Sequence, residues 1–88
     1  MIVRILGEGR YDVPEGKMPA VEQLDARLTD AMDGGDEEAF AAALADLVSQ
    51  IRQVGGKLAA DDLQTSGLVV PHEGSTLSEV KALLSEEA

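Results

Sequence analysis

The sequence has no cysteine and no tryptophan, and only Tyr11 and Phe40 carry aromatic rings. Without cysteine, disulfides, thiolate nucleophiles and zinc–sulfur sites are excluded. With two rings in 88 residues, stacking platforms for nucleic-acid bases are nearly absent. Positive charge is scarce as well: seven Lys and Arg stand against 17 Asp and Glu, a net charge of −10. Every stretch of the chain is acidic, from −1 over residues 1–16 to −4 over residues 57–88. No basic footprint for nucleic acid is present, and an anionic bilayer leaflet repels such a surface. The longest apolar run, Ala39 to Ala45, falls far short of the ~18–20 residues of a spanning helix. The start lacks a charged segment followed by a long apolar one. The expectation is a cytoplasmic protein with no direct membrane insertion.

What is present describes one domain, residues 1–88, whose core is built from Leu, Val, Ile and Ala. A core of this size is thin, and a partner or a second copy, as in a homodimer, would help to complete it. The chain begins with a strand over Ile2 to Leu6, apolar except for Arg4. "RYDV", residues 10–13, then alternates polar and apolar, the period of a half-buried strand. "GEG" joins the two as a hairpin spanning residues 1–14, and Pro14 ends it. A phosphate-binding loop would lead straight into a helix, whereas these glycines lead into a second strand.

A helical hairpin follows over residues 20–55. Pro19 suits a first helical position, and Val21, Leu24, Leu28 and Met32 form one apolar stripe. "DGG" at 33–35 stops this helix. Asp36 then caps a second helix whose first turn holds Glu37 and Glu38. Phe40, Leu44, Leu47, Val48, Ile51 and Val54 mark its apolar face, and the short link makes the two helices antiparallel. Residues 57–66 read as an irregular polar connection anchored by Leu58 and Leu63. "GLVVP" reads as a short strand, and Thr76 with Glu79 as a capping box. The box opens a final helix, about Leu77 to Glu86, with Leu77, Val80, Leu83 and Leu84 inward. The fold class is α+β, in the order β-β-α-α-β-α. The third strand adds beside the first, within a small sheet covered by the helix pair.

Few residues suggest chemistry. The acidic run "DAMDGGDEE", residues 30–38, does not place oxygens at the first, third and fifth positions of a calcium loop. Capping and solvation account for it. His72 is the only histidine, and neither Glu73 nor Ser75 beside it makes a triad by proximity in sequence. Paired carboxylates for glycoside chemistry need an aromatic-lined cleft on a larger scaffold. No catalytic, cofactor or metal residue is assigned, and the chain reads as a protein without enzymatic activity. Arg4, Arg10 and Tyr11, the cationic and aromatic groups of the hairpin, are the candidate partner contacts. The plainer reading is strand surface for the arginines and core packing for the tyrosine.

The opening "MIVRILGEGRYDV", the "GDEEAF" that starts the second helix and the closing "GLVVP…STLSEVKALL" together resemble the PspA-associated (PspAA) family, small proteins encoded beside phage-shock protein A. The resemblance covers nearly the whole chain and carries no catalytic residues with it. It implies an accessory role in the envelope-stress response, binding or modulating PspA, a membrane-associated coiled-coil protein. It also implies recruitment to the inner face of the membrane through that partner. The alternatives are an acidic homo-oligomeric domain that binds another protein, and a small enzyme or ligand-binding domain.

Overall fold

The computed structural model describes the backbone of residues 1–59, 61–62 and 64–87, and the side chains of the final helix through residue 82. Among these residues four strands form one mixed sheet: β1 (Ile2–Ile5), β2 (Gly9–Asp12), β3 (Gly56–Lys57) and β4 (Leu68–Val70), in the spatial order β3-β2-β1-β4. β1 pairs antiparallel with β2 and parallel with β4, so the first strand lies inside the sheet as its apolar sequence anticipates. Among the described residues three α-helices accompany it: α1 (Met18–Gly34), α2 (Glu37–Val54) and α3 (Leu77–Glu87). The architecture is the small α+β domain expected, in the order β-β-α-α-β-α with one added strand.

That added strand corrects the reading of residues 57–66 as wholly irregular. Gly56 and Lys57 pair with Asp12 and Tyr11, and the Leu58 amide continues to the Arg10 carbonyl at 2.9 Å. Two residues are too few to show any side-chain period. Leu58 itself is half-buried, and Leu63 lies outside the described residues, as do the side chains of Leu83 and Leu84.

α1 starts at Met18, so Pro19 occupies the second helical position, not the first. Gly35 closes the helix at φ 68°, a left-handed conformation that costs glycine little. Asp36 caps α2 as its sequence position suggests, its Oδ1 accepting from the Ala39 amide at 3.1 Å. The two-residue link folds α2 back along α1, and Arg27 reaches Asp46 across the pair at 4.0 Å. The apolar stripes of both helices are spent on the sheet. Phe40, Leu47, Val48 and Ile51 are fully buried together with Val3, Ile5, Val13 and Val70. This packing gives the sheet one face covered by the helices and one that they leave to the connecting segment, onto which Arg10 folds, and the candidate site lies on the latter.

Candidate functional site

Alternation along the hairpin decides which side chain goes where. Val3 stands opposite Tyr11, and both are buried beneath the helices. Arg4 stands opposite Arg10, and a period of two sends both to the other face. Arg4 is exposed there, next to Val69, its register partner on β4, which is 54% exposed. Arg10 turns its guanidinium onto the connecting segment, where Nη1 donates to the Gln64 carbonyl and Nη2 to that of Asp62. Lys57, exposed on β3, stands opposite Tyr11 in register and so on the tyrosine's side of the sheet, where its charge acts on the Glu8 carboxylate. Arg4, Arg10, Lys57 and Val69, with Glu8 and Leu58, line an open groove of about 840 Å³. Three of the chain's seven basic residues thus border one depression together with the Glu8 carboxylate.

Tyr11 is absent from that face. Its ring is in the core, 7% exposed, and its hydroxyl donates to Glu8 Oε2 at 2.6 Å. Of the three hairpin residues singled out by sequence, the two arginines come together on the surface and the tyrosine does not.

Glu8 is the centre of a second cluster that sequence reasoning missed. Arg52, in the last turn of α2, donates from Nε to Glu8 Oε2 at 2.9 Å and from Nη2 to Oε1. Its Nη1 donates to Glu73 Oε1 at 3.0 Å, before α3. The Arg52 guanidinium, and after it the Tyr11 hydroxyl, holds the Glu8 carboxyl down at about 2. The same carboxylate raises the Tyr11 hydroxyl above its ordinary value. A carboxylate this acidic, with both oxygens occupied, is a poor general base. The cluster clamps the hairpin turn, the end of α2 and the approach to α3 to one another.

The other candidate groups have structural roles. At the "GEG" bend, Gly7 and Gly9 adopt φ 79° and 144°, and the Glu8 amide closes the turn onto the Ile5 carbonyl at 3.0 Å. The Ser75 hydroxyl donates to the His72 backbone carbonyl at 2.7 Å, away from any reaction with the imidazole. Glu37 accepts from the Leu77 amide at 3.0 Å and so caps α3 from another helix. Thr76 Oγ1 accepts from the Glu79 amide at 3.1 Å, one half of the expected capping box. Among the described residues, no group of three or more His, Cys, Asp or Glu is placed to hold a metal ion. Among them, too, no helix is long and apolar enough to cross a membrane.

The fold and surface define a small acidic α+β domain with a helix-covered sheet and an open groove of mixed charge beside the hairpin. Its family is shown by sequence: the model for PspAA, the PspA-associated protein, matches residues 1–88, and the chain belongs to that family. No curated protein and no solved structure matches the chain.

Proposed function

We propose that this protein is a non-enzymatic accessory of the phage-shock system that binds PspA and adjusts its assembly. The observation that carries the reading is a family match over the whole chain, to a family named for association with PspA. The surface supports a protein partner. α1 and α2 turn their apolar residues inward and leave Glu22, Asp30, Asp33, Glu38 and Asp46 exposed. A long helix presenting basic side chains complements such a face, and electrostatic attraction speeds and orients the encounter. A net charge of −10 works against direct attachment to anionic lipid, so any membrane recruitment would run through the partner. The test is to mix the two purified proteins and follow elution by size. The reading expects joint elution or a change in the size of the PspA assembly. Unaltered elution of both at micromolar concentration would refute it.

A further inference from the structure

α3 joins the fold at the margin of the core. Leu77 and Val80, in its first turns, close the rim of a cluster centred on Phe40, Leu47, Val48 and Ile51. The turn that leads into α3 is closed within itself. The Ser75 amide and hydroxyl both donate to the His72 carbonyl, at 3.1 and 2.7 Å. The Thr76 carbonyl and hydroxyl accept from the Val80 and Glu79 amides, each at 3.1 Å. Two side chains of α2 grip this unit from outside. Glu37, the first residue of α2, accepts from the Leu77 amide at 3.0 Å. Arg52, in its last turn, donates to Glu73 at 3.0 Å. One helix thus holds both ends of a short strap, residues 73–77. Both grips open without leaving a buried group unpaired. Glu37 and Glu73 are exposed, so water takes over their carboxylates. Arg52 keeps Glu8 on Nε and Nη2 when Nη1 releases Glu73.

We propose that residues 71–82, the turn and the first turns of α3, form a releasable strap that lifts from α2 while the hairpin and the helix pair stay folded, with Glu37 as its fastening. Local opening of this kind belongs to elements whose hydrogen bonds to the rest of the fold lie at the surface. Of the two grips, the exposed Arg52–Glu73 ion pair is the weaker. A carboxylate on a helix-terminal amide satisfies a donor that has no partner within its own helix and meets the positive end of the dipole. Glu37 therefore sets how often the strap opens. α3, of 11 residues, is marginal as a helix alone, so its first turns lose their order when the strap lifts. Lifting uncovers the core rim that Leu77 and Val80 close, and apolar surface beside the start of α2 becomes accessible for part of the time. The motion belongs to the free protein and does not depend on association with PspA.

Native-state hydrogen exchange of the full chain, read residue by residue by NMR, tests the strap. The amides of Val80, Lys81 and Ala82 should be protected in the folded protein, yet exchange about a hundredfold faster than those of Leu47, Val48 and Ile51. Glu37→Ala should speed the first group about a further fivefold and leave the second within about twofold. Glu38→Ala removes a charge from the same exposed first turn of α2 and should leave the first group as it is in the parent. Equal exchange in the two groups would overturn the proposal, since α3 then opens only with the whole domain. Complete lack of protection at residues 80–82 in the parent would overturn it too, because a strap that never closes has nothing to release. An equal acceleration of both groups by Glu37→Ala, or the same acceleration of the first by Glu38→Ala, would overturn Glu37 as the fastening.

Discussion

Arg52 and Glu8, 44 residues apart in sequence, meet in a two-pronged ion pair: Nε donates to Oε2 at 2.9 Å while Nη2 donates to Oε1. The contact ties the hairpin turn to the end of α2, and its consequence is a pH dependence. Glu8 titrates at about 2 in the fold, against an ordinary value of 4.5. A carboxyl whose folded value is lowered stabilises the fold above the ordinary value. That stabilisation is lost as pH falls from 4.5 towards about 2. Glu8→Gln should therefore melt a few degrees lower at neutral pH, and its Tm should vary less with pH across that window. Thermal melts over a pH series check this. Parallel curves for the two proteins would assign the dependence to other groups.

Gly55, at the end of α2, lies close against the sheet. A Cβ built there would stand 2.8 Å from the Ile51 carbonyl oxygen and 2.9 Å from Tyr11 Cβ. The neighbouring Gly56 has nothing within 4 Å. Gly55→Ala should cost about 1–3 kcal/mol through overpacking, and Gly56→Ala should lie within about 0.5 kcal/mol of the parent. Urea unfolding of the two variants makes the comparison.

Phe40 is the largest fully buried side chain, 0% exposed beneath the sheet in the first turns of α2. Phe40→Ala should cost about 3–5 kcal/mol, a large share of the stability of a domain this small. Denaturant titration measures the loss. A cost below about 1 kcal/mol would mean that the core closes around the gap.

Charge on the helix pair is expected to govern partner binding. Replacing exposed Asp30 and Glu38 with lysine should weaken association with PspA severalfold and reduce its salt dependence, chiefly through a slower on-rate. Surface substitutions of this kind leave stability nearly unchanged. Association kinetics at two salt concentrations would show the effect, and identical rates would place the contact elsewhere.

Much of the fold was legible because local rules act on neighbouring residues. The alternation in "RYDV", the prolines after the strands, the glycines between the helices and the Asp36 cap each report on their own few residues. They suffice for the hairpin, the helix pair and the place of β1 inside the sheet. What escaped notice depends on distance. β3 is two residues long and exists because β2 offers it an edge. The Glu8–Arg52–Glu73 clamp joins three segments with no pattern in common. The groove was half legible. Arg4 stood out as a charge in an apolar strand and the hairpin period set Arg10 beside it, whereas Lys57 and Val69 came to it only through the pairing of β3 and β4. Tyr11, between Arg10 and Asp12 in sequence, faces the core because one residue along a strand reverses direction.

Sedimentation velocity of the protein mixed with purified PspA at physiological salt tests the central claim most directly. The expected result is loss of the slow boundary of the free domain as it moves with the larger assembly. Two boundaries that each match the separate proteins at micromolar concentration would contradict it.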